Sequence, residues 1–183
     1  MKKIVFVVSL FIIGLNNVFA FSTSSRATVL MDSDTNNVLY ENNPNEIRSV
    51  ASISKIMTAI VAIESGKLDD VVKVGDEIND AYGSGIYIHI DEEISLRDLL
   101  YGLMLRSGND AALAIAKYVG GDVETFVKML NEKAREIGMK NTTFNNPSGL
   151  DEKKGNMSTA YDMALLMSYA IKNDEFKKIV GTK

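Results

Sequence analysis

The chain has 183 residues, of which 46% are hydrophobic and 24% are charged, and this is enough for one globular domain with a substantial core. Its net charge of −4 argues against a nucleic-acid-binding surface. It contains no cysteine and a single histidine, His89, so disulfides and thiol catalysis are excluded, and a zinc site or a Ser-His-Asp triad is disfavoured.

The first twenty residues have the features of a secretory signal peptide. Two lysines precede an apolar run over residues 4–15, and Val18 and Ala20 occupy the −3 and −1 positions of a cleavage site. The apolar run is short for a membrane span. We therefore predict an exported protein that acts outside the cytoplasmic membrane and whose folded part begins at residue 21.

The first part of the mature chain is predicted to contain a β-hairpin. Residues 27–31 and 38–40 are rich in β-forming side chains, and the segment between them is rich in the Asp, Ser, Thr and Asn that favour turns. A polar loop over residues 41–48 leads to a helix over residues 51–64, which is apolar on nearly every side and ends near Gly66. A helix of this kind is expected to be buried.

The rest of the chain begins with a glycine-punctuated region and is then predicted to be mainly helical. Short strands are predicted at residues 71–74 and 86–90, the second of which contains His89. Capping boxes at Ser95 and Thr159 each mark a helix start. The predicted helices span residues 95–105, 110–119, 123–137 (ended by Gly138) and 159–171, with a last short helix capped by Asp174 and a loop over residues 145–151.

Ser52 and Lys55 open the apolar helix and form an S-x-x-K pattern. A separation of three residues puts both side chains on one face, so the amine can act on the hydroxyl. A serine hydroxyl needs a base to become a nucleophile, and a lysine in a desolvated pocket has a pKa low enough to serve. The helix N-terminus also favours negative charge nearby. Alternatively, Ser52 only caps the helix and Lys55 extends into solvent.

Ser107, Gly108 and Asn109 give a second chemical signal between two predicted helices. A turn at this point can present the hydroxyl and the amide to a cleft, and the glycine is expected to let the backbone turn tightly. A serine hydroxyl can relay a proton, and an asparagine amide can hold the amide group of a substrate. The S-G-N sequence is also common in ordinary turns, so it indicates a functional site only because it follows the S-x-x-K pattern.

Four ordered blocks of the chain resemble the low-molecular-weight penicillin-binding proteins, the serine D-alanyl-D-alanine carboxypeptidases. The blocks read A-S-I-S-K-I-M-T-A, L-R-S-G-N-D-A-A, N-P-S-G-L-D and S-T-A-Y-D-M-A, at residues 51–59, 105–112, 146–151 and 158–164. The resemblance implies an α+β, penicillin-recognising serine transferase fold, in which a mainly antiparallel sheet lies beside a helical region. The active site is expected between the two parts.

The resemblance also implies roles for individual residues. Ser52 would be the acylated nucleophile, Lys55 its base, Ser107 part of the proton relay, and Asn109 a ligand of the substrate's peptide group. The backbone N–H of Ser52 would form part of an oxyanion hole. The implied partners are peptidoglycan stem peptides ending in D-Ala-D-Ala and β-lactam antibiotics, and no metal or other cofactor is implied.

Two features differ from the family pattern. Ser148 stands where the family has histidine in its N-P-H-G-L-D block, and it is expected to organise this loop. The family's third motif, K-T-G on a later strand, is not reached, because the last residues read G-T-K and follow a predicted helix. We therefore expect a C-terminally truncated carboxypeptidase with an incomplete sheet, in which residues 1–20 are the signal peptide and residues 21–183 a partial catalytic domain.

Other functions are compatible with the sequence. An inactive fragment or an exported muropeptide-binding module would keep part of the cleft without catalysis, although retention of both Ser52 and Lys55 argues for an enzyme. A serine β-lactamase is disfavoured by the S-G-N block and by the loop at residues 146–151. The sequence leaves open the choice between carboxypeptidase and endopeptidase action, the oligomeric state, and any association with a membrane.

Overall fold

A computed structural model describes residues 23–150 and 155–182, so the predicted signal peptide and Asp151 lie outside the described residues. The strands are β1 (Thr28–Met31), β2 (Val38–Asn42), β3 (Arg48–Ser49), β4 (Val71–Lys73), β5 (Glu93–Ser95) and β6 (Met157–Ser158). The α-helices are α1 (Lys55–Glu64), α2 (Leu96–Leu105), α3 (Asn109–Gly120), α4 (Val123–Ile137), α5 (Ala160–Ala170) and α6 (Asp174–Val180). Short 3-10 helices span Ala51–Ser54 and Asp76–Asp80.

The described strands form three antiparallel pairs. β1 pairs with β2, which confirms the predicted hairpin, and its turn is closed by the Asp32 carboxylate, which accepts the backbone N–H groups of Asp34 and Thr35. β3 pairs with β6, and β4 pairs with β5. The β3–β6 pair brings the segment that precedes the S-x-x-K pattern next to the segment that precedes α5. The molecule is therefore α+β, with antiparallel strands and a helical part.

α1 lies at the centre of the helical part, as its uniform apolar surface predicts. Met57, Ala59, Ile60 and Ala62 are completely buried. The helix contacts each of α2, α3, α4, α5 and α6. Close packing against five neighbouring helices restricts movement of α1. Its first residue, Lys55, is consequently packed inside the protein.

The helix boundaries largely follow the predicted caps. The Ser95 and Thr159 hydroxyls accept the backbone N–H groups of Asp98 and Asp162, and these bonds confirm that both residues cap the helices that they were predicted to start. One predicted cap is wrong. The last short helix is capped by Asn173, whose side-chain oxygen accepts the N–H of Phe176, because Asn173 has the extended backbone of a cap whereas Asp174 is already helical.

The predicted strand over residues 86–90 is also wrong, and the segment is a loop. The backbone N–H groups of Ile86, Tyr87 and Ile88 donate to the carboxylate of Asp110 instead of to a neighbouring strand. β4 pairs with residues 93–95 in place of this segment. His89 is therefore an exposed loop residue.

Within residues 23–150 and 155–182, no helix combines the length and the apolar character needed to cross a membrane.

Candidate active site

Ser52 and Lys55 meet where the 3-10 helix Ala51–Ser54 passes into α1. Lys55 is the first residue of α1, and its Nζ lies 3.4 Å from the Oγ of Ser52. Ser52 itself is exposed, so a molecule in solution can reach its hydroxyl. The preceding residue, Ala51, has a left-handed backbone with φ of 39°, and strained geometry of this kind is frequent at functional sites.

Ser54 is the second serine close to Lys55, and its environment differs from that of Ser52. Only 1% of Ser54 is exposed, and its hydroxyl donates a 2.7 Å hydrogen bond to the carbonyl oxygen of Ala51. That bond fixes the tight turn at the start of the helix. Ser54 is therefore committed to local structure, whereas Ser52 is an exposed residue whose hydroxyl oxygen accepts a hydrogen bond from the Lys55 amine.

The Lys55 amine is buried among neutral oxygen atoms. Lys55 is 2% exposed, and its Nζ donates to the Asn109 Oδ1 at 2.8 Å and to the Ser148 carbonyl oxygen at 2.5 Å. Among the described residues no carboxylate pairs with it. Burial lowers the pKa of Lys55 from 10.5 to about 8, because desolvation penalises the charged form. At pH 7, roughly one amine in ten is neutral and able to accept a proton.

The segment between α2 and α3 holds the second sequence signal. Ser107, rather than the glycine, has the left-handed backbone, with φ of 56°, and Gly108 has an ordinary φ of −61°. The left-handed residue of this turn is thus Ser107 and not the glycine. Space is tight at Gly108, because a Cβ there would lie 3.0 Å from the Asp110 Oδ1 and 3.2 Å from the Ala111 Cβ.

Asn109 reaches Lys55, whereas Ser107 does not. Asn109 is buried, and its amide nitrogen donates to the carbonyl oxygen of Tyr82 at 2.6 Å while its Oδ1 accepts from Lys55. The Ser107 hydroxyl makes no hydrogen bond to any residue that the structure describes. Three of the four sequence-predicted site residues, Ser52, Lys55 and Asn109, are therefore brought together, and the relay role of Ser107 stays a prediction.

The loop at residues 146–150 supplies contacts that side-chain chemistry alone does not reveal. The carbonyl oxygen of Ser148 binds Lys55, and that of Pro147 accepts the Thr58 hydroxyl at 2.7 Å. The Asn146 Oδ1 accepts the backbone N–H groups of Ser148 and Gly149, which fixes the loop. Because the ligand of Lys55 is a main-chain oxygen, the histidine-to-serine difference at this position leaves that contact available.

An open cleft of about 400 Å³ lies beside these groups. Its walls include Asn109 and Ser148, the two residues whose oxygen atoms bind Lys55, together with Tyr82 and Asn146. Carbonyl and amide groups of this kind recognise a peptide through hydrogen bonds. The arrangement has an exposed serine, a buried amine and adjacent carbonyl and amide groups, and these are the kinds of group that acyl transfer through a serine ester uses.

The chain is similar to known proteins over most of its length. A sequence profile described as D-alanyl-D-alanine carboxypeptidase matches residues 16–183. The chain is 40% identical to the D-alanyl-D-alanine carboxypeptidase DacF of Bacillus subtilis, over 86% of this chain and 42% of the relative. It is 37% identical to a D-alanyl-D-alanine endopeptidase of Escherichia coli, over 79% of this chain and 46% of the relative.

A crystal structure of the D-alanyl-D-alanine carboxypeptidase DacD from Francisella tularensis has the same fold over the matched region, with a TM-score of 0.83 and 37% identity. The match covers 89% of this chain and 41% of that chain. The chain thus spans less than half the length of these relatives. The matched region includes both the S-x-x-K segment at residues 52–55 and the S-G-N segment at residues 107–109. The chain belongs to the D-alanyl-D-alanine carboxypeptidase family and has its penicillin-recognising serine transferase fold.

Proposed function

We propose that this chain supplies the nucleophile and the base of a serine-type D-alanyl-D-alanine carboxypeptidase. The observation that carries the proposal is the contrast between the exposed Ser52 hydroxyl and the buried Lys55 amine, 3.4 Å apart. The other hydrogen-bond partners of the amine are neutral oxygen atoms. Lys55 is therefore poised to take up a proton, which is the role of a base in an S-x-x-K enzyme.

The proposed reaction begins when Ser52 Oγ gives its proton to neutral Lys55. The oxygen attacks the carbonyl carbon between the two D-alanines, and the C–N bond breaks as the proton passes to the departing amine, by way of Ser107. Free D-alanine leaves, and an ester joins Ser52 to the shortened peptide. Water then cleaves the ester and restores the hydroxyl. Asn109 holds the substrate's peptide group, and the Ser52 N–H contributes to the oxyanion hole.

The proposed substrates are peptidoglycan stem peptides that end in D-Ala-D-Ala, and the proposed site of action is the cell envelope. The signal-peptide pattern of residues 1–20 supports export. Penicillin would acylate Ser52 in the same way, because opening of its β-lactam ring by the hydroxyl also yields a serine ester.

Endopeptidase action is the second candidate. It is favoured by the similarity to the Escherichia coli endopeptidase, which approaches that to the carboxypeptidases. Both activities need the same acylation step and differ in the leaving group, which is free D-alanine in one case and a cross-linked peptide in the other.

A muropeptide-binding module without catalysis is less consistent with the site. Burial of the Lys55 amine lowers its pKa and therefore costs free energy of folding at neutral pH. A binding module would gain as much from a neutral hydrogen-bond donor at this position without that cost. Retention of a buried amine beside an exposed hydroxyl supports an enzyme.

The test uses an extended protein, in which residues 21–183 are continued through the region that the relatives carry beyond the match. It is incubated with a pentapeptide ending in D-Ala-D-Ala and, separately, with a cross-linked muropeptide dimer. We expect release of free D-alanine from the pentapeptide and none from the Ser52→Ala variant. Cleavage of the dimer alone would establish the endopeptidase, and cleavage of neither substrate would reject an enzymatic function.

A further inference from the structure

Asp110 is a buried carboxylate next to the proposed site. It is 7% exposed, and its two oxygen atoms accept backbone N–H groups from Ile86 at 3.1 Å, Tyr87 at 2.6 Å and Ile88 at 3.3 Å, as well as from Ala111 at 2.8 Å. Lysine, arginine and histidine side chains of the described residues do not pair with it. A buried charge is tolerated only when it is well hydrogen-bonded, and here the bonds come almost entirely from one loop.

The loop at residues 82–88 fits closely against Asp110 and α2. A Cβ on Gly85 would lie 3.1 Å from the Asp110 Oδ2, and a Cβ on Gly102 would lie 2.6 Å from the Ile86 Cδ1. Tyr87 has a left-handed backbone with φ of 61°, a conformation that costs free energy and persists only when its surroundings hold it. The carboxylate therefore fixes the path of this loop.

The same loop determines the orientation of Asn109. The backbone N–H of Asn109 donates to the Ser84 carbonyl oxygen at 2.8 Å, and its side-chain nitrogen donates to the Tyr82 carbonyl oxygen at 2.6 Å. Because the amide nitrogen is held by Tyr82, the amide oxygen must face the opposite direction, where it accepts from Lys55 at 2.8 Å. The contacts thus run without interruption from Asp110 through the loop and Asn109 to the Lys55 amine.

We propose that Asp110 is a positioning residue for acylation, which acts through the loop at residues 82–88 on the Asn109 amide and so orients Lys55 toward Ser52. The proposal rests on the proposed acylation of Ser52. Loss of the carboxylate would let the loop move and release the Asn109 nitrogen. The amine would then lose the Asn109 oxygen and would be held beside the hydroxyl by the Ser148 carbonyl oxygen alone. Misplacement of a reacting group by about 1 Å can reduce a rate roughly 100-fold.

The test measures the rate constant for acylation by penicillin, per folded molecule, in the extended protein. Asp110→Asn keeps the size of the side chain but replaces one acceptor oxygen with a donor that faces backbone N–H groups. We expect acylation to fall roughly 10- to 100-fold. In an Asn109→Ala background, Asp110→Asn should have little further effect on the rate, because the route through Asn109 is already lost.

The matched control is Asp162→Asn. Asp162 is 1% exposed and accepts the backbone N–H of Asn141 and the hydroxyl of Thr142, but among the described residues it forms no hydrogen bond with Asn109 or with the loop at residues 82–88. We expect Asp162→Asn to lower stability with acylation per folded molecule unchanged. If Asp110→Asn does not fold, Gly85→Ala crowds the same carboxylate and should slow acylation instead.

Each outcome decides the proposal. Acylation unchanged in Asp110→Asn, or in Gly85→Ala where Asp110→Asn does not fold, overturns it, as does equal slowing by Asp162→Asn. If Asp110→Asn slows acylation as much in the Asn109→Ala background as it does in the otherwise unchanged protein, the effect does not pass through Asn109 and the proposal is contradicted. A failure of the proposed function is distinguished by Ser52→Ala, which abolishes acylation if Ser52 is the nucleophile, whatever the effect of Asp110.

Discussion

At the scale of a single residue, burial of Lys55 favours its use as a base but destabilises the folded protein. Its burial makes the amine a usable base near neutral pH, and the same burial penalises the folded state whenever the amine is protonated. The oxygen atoms of Asn109 and Ser148 accept hydrogen bonds from either form, so they hold the amine in place without fixing its charge. The rate of acylation and the free energy of unfolding should therefore both change with pH as the Lys55 amine titrates.

The first prediction concerns the pH dependence of acylation. Only neutral Lys55 can accept the Ser52 proton, so the acylation rate constant should rise about tenfold per pH unit below pH 8 and level off above it, as burial lowers the pKa of Lys55 to about 8. Lys55→Arg keeps the charge but cannot readily lose it, and should slow acylation roughly 10²–10⁴-fold. Stopped-flow acylation with a chromogenic β-lactam measures both effects. Rates within a few-fold of the unchanged protein would reduce Lys55 to a structural role.

The second prediction concerns stability and has a defined sign. The pKa of Lys55 is lowered on folding from 10.5 to about 8, so between these values the unfolded chain binds more protons and stability rises with pH. The lysine should thus cost about 3 kcal/mol below pH 8, and this cost should disappear by about pH 10.5. Denaturant unfolding of the extended protein at several pH values measures the slope, which Lys55→Met should remove. An unchanged slope in Lys55→Met would contradict the assignment.

At the scale of elements, local rules predict helices well and the site only in part. Ser95 and Thr159 cap their helices because the groups that they bind are three residues away, and a spacing of this kind is visible in the sequence. Residues 86–90 form a loop and not the predicted strand, because the backbone N–H groups of residues 86–88 donate to Asp110, more than twenty residues later. The contact from the Ser148 carbonyl oxygen to Lys55 has no side-chain signature at all.

The third prediction compares two glycines with similar backbones. Gly149 and Gly138 have φ of 82° and 92°, but a Cβ on Gly149 would lie 2.0 Å from the Ala51 carbonyl oxygen, whereas a Cβ on Gly138 meets nothing within 4 Å. Gly138→Ala should cost about 1–2 kcal/mol from backbone strain alone. Gly149→Ala should cost about 1–3 kcal/mol more, because the loop must move away from the turn before Ser52.

Chemical denaturation measures both free energies, and acylation by penicillin provides the functional comparison. Only Gly149→Ala should slow acylation, since Gly138 lies at the end of α4, away from Lys55 and its ligands. Equal destabilisation by the two substitutions would show that the loop at residues 146–150 does not pack tightly against the turn at Ala51.

At the scale of the whole molecule, α1 connects the site to the surrounding helices. Lys133 of α4 donates to Glu64, the last residue of α1, and to Glu136, and the Tyr169 hydroxyl of α5 donates to the same Glu64 at 2.6 Å. Burial alone would lower the pKa of Lys133, but its bonds to Glu136 and Glu64 raise it. This network joins three helices at the end of α1 opposite to Lys55.

The fourth prediction tests that network with a matched pair of lysines on α4. The Lys133 side chain is 16% exposed, whereas the Lys128 side chain is 65% exposed and forms a salt bridge with Glu124, one turn away. Lys133→Met should lower the free energy of unfolding by about 1–3 kcal/mol, since Glu64 loses a partly buried partner. Lys128→Met should change it by less than about 0.5 kcal/mol. Equal effects in thermal unfolding would mean that the network does not hold the helices together.

The measurement that tests the central claim most directly is the position of the covalent adduct formed with penicillin. The extended protein is treated with the antibiotic and digested, and the peptide that carries the added mass is sequenced by mass spectrometry. The account predicts the adduct on Ser52, its loss in Ser52→Ala, and its retention in Ser54→Ala, whose hydroxyl is buried and bonded to Ala51. An adduct that survives Ser52→Ala, or that maps to another residue, would contradict it.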